Sequence, residues 1–280
     1  MLCYNTGVGK LYLVATPIGN LEDISLRALR VLRQVDLIAA EDTRHTRKLL
    51  AHYEIDTPLL SYHEHSNDQR LQEILQRLQG ADVALVSDAG SPLISDPGYE
   101  LIRAAVERGV SVVPIPGASA VITALSAAGL PSDAFLFQGY LPRKRKERRA
   151  LLEQQARYPY TLVFFEVPHR LQASLNDLVE ILGPERPAAV CRELTKVHEE
   201  IVRGDLGEIL NTLGSVEPRG EYTLVVAGAS GPTVWTEGEV RKALQERIAY
   251  GDKPSDAARW VASHSGWPRP EVYKFTLEEE

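Results

Sequence analysis

Read from its amino terminus, the chain alternates short apolar runs with glycine- and proline-containing turns and with segments of helical spacing. LYLVAT at 11–16 is an apolar run ended by Pro17 and Gly19, and the positions Leu26, Leu29, Val31 and Leu32 predict a helix capped by Asp23 or Ser25. Residues 35–40 predict a second strand followed by the polar segment EDTRHTRKLL, and 58–62 a third followed by HEHSND. Leu71, Ile74, Leu75 and Leu78 give 67–79 a helical period. VALV at 83–86 reads as a buried strand, 98–108 as a helix, 111–115 as a fifth strand, and PGASA opens a helix of small residues running to 129. This succession indicates a mainly parallel sheet covered by helices.

A second set begins near Ala134, with AFLFQGY as a strand, RKRKERR opening a helix and TLVFFEV as the next strand. Residues 188–193, 198–203 and 222–227 are further strands on short connections, with one helix at 206–213, so this half reads as mixed rather than purely parallel. SGPT after Ala229 reads as a linker, and helical patterns follow at 237–249, 255–265 and 270–277. The expected class is α/β. An N-terminal α/β domain over 1–120 and a C-terminal one over 121–229 flank a cleft, and a small helical extension occupies 230–280.

Composition narrows the class. With 280 residues and 44% hydrophobic content the chain can bury substantial cores. No apolar run approaches the eighteen or so residues that cross a bilayer, and the first ten residues lack a signal peptide's apolar stretch, so a cytoplasmic protein is expected. Cys3 and Cys191 are too few for a disulfide framework and read as free thiols. A net charge of −7 argues against a protein that coats nucleic acid non-specifically. One dense basic block stands out, Arg143, Lys144, Arg145, Lys146, Arg148 and Arg149, and its plain reading is a solvated helix face.

The chemistry lies in loops. There is no G-x-G-x-x-G after a strand, no phosphate-binding P-loop and no G-x-S-x-G elbow; GVGK at 7–10 precedes its strand and reads as a flexible terminus. His63, Glu64 and His65 are too close together to set two imidazoles on one helical face, and no metal is expected. What remains are loops after successive strands: TPIGN at 16–20, AEDTR at 40–44, SYHEH at 61–65, SDAGSP at 87–92 and PGASA at 116–120. In a parallel sheet they gather along one edge, where such sheets bind ligands. Gly and Pro often serve only as turns, but small side chains and free N–H groups at helix starts can also hold a carboxylate or a nucleoside.

The ordered series LVATPIGNLEDISLRALRVL, AEDTRHTRKLL, SYHEH, LVSDAGSPLISDPGYELI, VVPIPGASAVITALSAAGLP, FFEVPHRL, CRELTKVHEEIVRG and GEYTLVV resembles the tetrapyrrole-methylase-type, class III, S-adenosylmethionine methyltransferases. Within that superfamily it is similar to the branch that methylates the ribose 2′-oxygen of a decoding-centre cytidine in small-subunit (16S) ribosomal RNA. The resemblance implies S-adenosylmethionine in the cleft between two α/β domains, and a homodimer. Carried onto this chain, it places Pro17 and Gly19 at the methionine end and Asp88, Ala89, Gly90 and Ser91 in the cofactor loop. Ser119 and Ala120 lie behind that loop, and Phe165, Pro168 and Thr223 complete the adenosine pocket.

A neutral ribose hydroxyl is a poor nucleophile, so a base near the acceptor would help. Among acidic and histidine residues in the loops, Glu41, His63 and Glu166 rank first. Arg143, Lys144 and Lys146, with Arg44, Arg170, Arg192 and Lys196 near the cleft loops, are the expected phosphate contacts, and Asn20 and His169 also face substrate in this reading. The substrate expected is small-subunit ribosomal RNA, in an assembled particle rather than free. Two alternatives remain: a tetrapyrrole or diphthamide-pathway methyltransferase on the same fold, and a non-catalytic ribosome-assembly factor that binds RNA.

Overall fold

The computed structural model describes residues 8–63, 68–214, 217–229 and 235–277. Among these the first sheet comprises β1 (Lys10–Val14), β2 (Leu37–Ala40), β3 (Leu59–Ser61), β4 (Val83–Val86) and β5 (Ser111–Ile115). Its order is β3-β2-β4-β1-β5 and every pair is parallel. Helices α1 (Leu26–Gln34) and α2 (Thr43–His52) cover one face, where Leu29, Leu32, Leu49 and Leu50 pack with Val14, Ile38 and Val86. Helices α3 (Asp68–Arg77) and α4 (Tyr99–Glu107) cover the other, packing Ile74, Leu75 and Leu101 on Leu11, Val83 and Leu85. Alternate strand residues thus point to opposite cores, and a sheet covered on both faces needs near-continuous apolar strands such as VALV.

The second sheet is mixed, as its short connections predict. It comprises β6 (Phe135–Tyr140), β7 (Thr161–Glu166), β8 (Pro187–Arg192), β9 (Glu200–Asp205) and β10 (Tyr222–Val226), in the order β6-β7-β10-β8-β9. Only β6 and β7 are parallel. Helix α5 (Ala120–Ala128) leaves the first sheet but packs on the second, setting Val121, Ala124 and Leu125 against Val163, Ala189 and Val225. Helices α6 (Arg145–Gln155), α7 (Pro168–Leu182) and α8 (Leu206–Gly214) cover the opposite face. Finally α9 (Glu237–Ala249), α10 (Pro254–Ser265) and α11 (Arg269–Leu277) close around Val240, Leu244, Val261 and Val272, and Glu239 on α9 takes two bonds from Arg157, at 2.7 and 2.8 Å.

Several expectations change. The polar segment after β2 is helical: the Asp42 side chain accepts the Arg44 amide and starts α2, which buries only Thr46, Leu49 and Leu50. The helix α1 is capped by Ser25, which accepts the Ala28 amide at 3.1 Å; Asp23 belongs to a separate turn before it. The basic block is neither wholly solvated nor wholly available. Arg145, Arg148 and Arg149 all reach Asp177 on α7, and Arg145 and Arg149 also reach Glu180, so half of the block locks α6 onto α7. Cys191 is a free, buried thiol, and burial pushes it up to about 11. Cys3, Gly7, Glu64, His65 and the SGPT segment lie outside the described residues. No described helix is long and apolar enough to cross a membrane.

Candidate active site

The loops at the carboxyl ends of β1, β4 and β5 are tied to one another by the backbone. Thr16 and Gly90 exchange two amide-to-carbonyl bonds, at 2.9 and 3.0 Å, and the Thr16 hydroxyl donates to the Ser87 carbonyl at 3.2 Å. Gly90 sits at φ 79°, a left-handed conformation that glycine adopts without a Cβ penalty. The Asp42 amide donates to Asp88 Oδ1 at 3.0 Å, joining the β2 loop to the same group. Ser119 starts α5 by accepting the Ile122 amide.

These loops face the ends of β6, β7 and β10 across a cavity of about 320 Å³. Its first-half wall includes Asp88, Ala89, Gly90, Ser91, Ser119 and Ala120. Its second-half wall includes Phe165, Glu166, Pro168 and Thr223, with Phe165 and Thr223 opposite each other in the β7/β10 ladder. Glu41 also lines it. Sequence reasoning missed Ile18, Ile94, Asp96, Tyr140 and Glu221, which the cavity includes. Tyr140 stands edge-on to Phe165 with ring centres 5.5 Å apart, completing an aromatic wall.

Other expected site residues stand elsewhere. Pro17 lines a smaller recess that shares only Asp88 with the main cavity. Gly19 is a seat for the second half: a Cβ there would lie 2.4 Å from Lys196 Cγ and 2.9 Å from the Leu194 carbonyl oxygen. Gly19→Ala should therefore part these loops and cost about 1–3 kcal/mol, read as a lower midpoint in urea unfolding. His63 is exposed beyond β3, outside the cavity lining. Asn20 caps the turn before α1 by accepting the Glu22 amide.

Charge is unevenly distributed. Burial, then the nearby carboxylates of Asp96 and Asp88, raise the Glu41 carboxyl above its ordinary value. Asp96 is raised too, by burial against an opposing bond from Ser87, and by Asp88. Glu166 is held by hydrogen bonds. Its Oε1 accepts from the Val167 amide and from Arg170, and its Oε2 accepts from the Ser174 hydroxyl, so both oxygens are committed to partners within the second half. Arg170 is thereby occupied, as are Lys196 by Glu193 and Glu221, Arg192 by Glu200 and the Arg219 carbonyl, and Arg44 by Asp42. Bonds from Arg44 hold Asp42 at about 2. Arg143, Lys146 and His169 are exposed, and Lys144 pairs at the surface with Glu147 at 3.0 Å.

The family model for tetrapyrrole (corrin/porphyrin) methylases matches residues 10–210, the span that builds both walls of this cavity. The chain belongs to that family. Among relatives of this methylase, the ribosomal RNA small subunit methyltransferase I of Synechocystis sp. is 48% identical over 276 residues, covering 98% of this chain and 99% of its own. The protein of that name from Escherichia coli O157:H7 is 46% identical, covering 97% and 96%. A solved uroporphyrin-III C-methyltransferase from Thermus thermophilus, complexed with S-adenosylhomocysteine, superposes with a TM-score of 0.56 at 21% identity, covering 78% of this chain and 97% of that one. The fold is that of the S-adenosylmethionine-dependent methyltransferases.

Proposed function

We propose that this methylase transfers a methyl group from S-adenosylmethionine to the ribose 2′-oxygen of a decoding-centre cytidine in small-subunit ribosomal RNA. It acts in the cytoplasm, as a homodimer, on an assembled subunit. The observation that carries the donor half is the cavity itself. It sets the Glu41, Asp88 and Asp96 carboxylates on one side and the Phe165–Tyr140 wall on the other. That pairing suits a ligand with a cationic amino-acid end and a flat aromatic end. The acceptor half is supported by near-full-length relatives named for small-subunit ribosomal RNA.

When bound, S-adenosylmethionine supplies an electrophilic methyl group on a positively charged sulfur. The backbone of 88–91 and the start of α5 would hold the methionine end, and Phe165, Pro168 and Thr223 the adenosine. Gly19 and Pro17 keep the β1 loop in place rather than lining the cavity. Of the three expected bases, Glu41 both lines the cavity and has a raised pKa, so it is the group to accept the ribose proton. Glu166 acts as a positioning residue, fixing Arg170 and the start of α7.

Affinity for the sulfonium donor should fall as pH drops through the raised Glu41 and Asp96 values, because protonation removes the charges that face it. S-adenosylhomocysteine, whose sulfur is uncharged, should lose less, and calorimetry across the acid range checks this. Reversing charge at Arg143, Lys144 and Lys146 should weaken RNA binding and flatten its salt dependence. Small subunits lacking the methyl group should accept label from the donor far better than protein-free RNA. Equal labelling of the two would overturn the assembled-subunit reading.

A further inference from the structure

Asp88 borders two spaces. Besides the main cavity it lines a recess of about 40 Å³ with Pro17, Leu21, His45 and Leu49. The Asp42 amide fixes its carboxylate as the wall common to both. Pro17 and Leu21 come from the loop between β1 and α1, and His45 and Leu49 from α2. The two sides are joined where the Tyr53 hydroxyl donates to the Leu21 carbonyl at 2.7 Å. Leu21 is 38% exposed and His45 is exposed, so the recess presents an apolar edge and an aromatic ring to solvent.

Helix α2, which lines this recess, and α1, which follows its Leu21 wall in the chain, carry cations of a particular kind. Arg27 and Arg30 on α1, and Arg47 and Lys48 on α2, are exposed, and none makes an ion pair or side-chain hydrogen bond among the described residues. Many other cations here are occupied: Arg145, Arg148 and Arg149 by Asp177, Arg103 by Glu107, Lys196 by Glu193. In a chain of net charge −7, four unpaired cations on two adjoining helices make a local surface for a polyanion. In-line methyl transfer needs the acceptor to approach from a side the donor does not fill, and a recess that shares one wall with the donor cavity meets that need.

We infer that this recess receives the acceptor nucleotide, turned out of its RNA strand. The base edge lies between Leu21 and His45, the ribose is directed to Asp88, and Arg27, Arg30, Arg47 and Lys48 hold the flanking phosphates. This rests on the RNA-methyltransferase reading above. At about 40 Å³ the recess takes an edge of a base rather than a whole nucleoside, so the sugar stays outside it, next to the donor cavity. Stacking on His45 supplies attraction without demanding one particular base. The Asp88 wall then decides how deep the nucleotide can enter.

The test uses the full chain with unmethylated small subunits and labelled S-adenosylmethionine. Four proteins are compared: wild type, His45→Ala, Arg27→Glu/Arg30→Glu/Arg47→Glu/Lys48→Glu, and Arg77→Glu on α3, at the opposite face of the first sheet. The inference predicts that His45→Ala lowers kcat/KM for subunits about tenfold, from the loss of one stacked base. The quadruple variant should lose about a hundredfold or more and flatten the salt slope by about 3, from four phosphate contacts. Donor affinity by calorimetry should stay within about twofold of wild type in both, and Arg77→Glu should match wild type, since none of these residues lines the donor cavity. Should the quadruple variant fail to fold, Arg47→Glu/Lys48→Glu and His45→Ala carry the test. Wild-type kcat/KM in these variants, or a loss confined to donor affinity, overturns the acceptor recess while leaving the RNA reading intact. A wild-type protein that labels no RNA overturns both.

Discussion

Glu41→Gln should lower kcat at saturating donor by about 10²-fold or more, the usual range for a lost general base. The residue follows β2, directly before the Asp42 cap of α2, so its backbone is fixed by sheet and helix together. Burial, Asp96 and Asp88 raise its carboxyl. Because the raised value keeps Glu41 protonated to higher pH, the acid limb of the wild-type kcat profile should lie above the ordinary carboxylate range, and the glutamine variant should lack that limb. The same shift has a stability consequence of defined sign. A carboxyl raised by folding favours the folded state while protonated and opposes it as pH climbs through the folded value. The variant should therefore melt higher than wild type at neutral pH, and the difference should vanish below the ordinary glutamate value of about 4.3. An unchanged kcat would remove Glu41 from the mechanism.

Asp177→Asn should destabilise the fold by about 3–5 kcal/mol, the cost of leaving a buried charge without its partner. The side chains of Asp177 and Arg148 are 1% and 5% exposed, and Arg148 Nη2 approaches Asp177 Oδ2 at 2.6 Å. Arg145 and Arg149 add further bonds to the same carboxylate. Burial alone would raise Asp177, but the bonds from Arg148 and Arg145 outweigh it and hold it low. Its contribution is thus present above the ordinary aspartate value and disappears as pH falls through the lowered one. Urea unfolding at neutral pH measures the loss. Replacing the pair together, Arg148→Met with Asp177→Leu, should recover much of it, because an apolar pair of similar volume has no stranded charge. A single variant as stable as wild type would show that α6 and α7 do not depend on this cluster.

The strands that the sequence made legible are those buried on both faces. VALV at 83–86, buried at all four positions, keeps its expected limits, since a continuous apolar run between turn residues has few other ways to be satisfied. The edge strand at 111–115 keeps its limits too, although only Ile115 is buried there. Helices α2 and α7 were harder to see for two different reasons. Most of α2 is polar because only one stripe touches the sheet. In α7 the buried positions include Ser174 and Asp177, whose partners, Glu166 and Arg148, come from elsewhere in the chain, so polar residues stand where an apolar period would be sought. The glycine-rich loops pointed to the first-half wall of the cavity. Asp96 and Tyr140 did not stand out, because what brings them together is the meeting of two sheets rather than any local spacing. The basic block misled by composition alone: three of its arginines serve a carboxylate 28 to 32 positions away.

The most direct test of the central claim is where the methyl group goes. Wild-type protein is incubated with S-adenosylmethionine labelled in its methyl group and small subunits from a strain lacking the enzyme, and the RNA is digested and mapped. The account predicts label on the ribose 2′-oxygen of a single cytidine in the decoding centre. Label on a base, on a different nucleotide or on no RNA at all would contradict it.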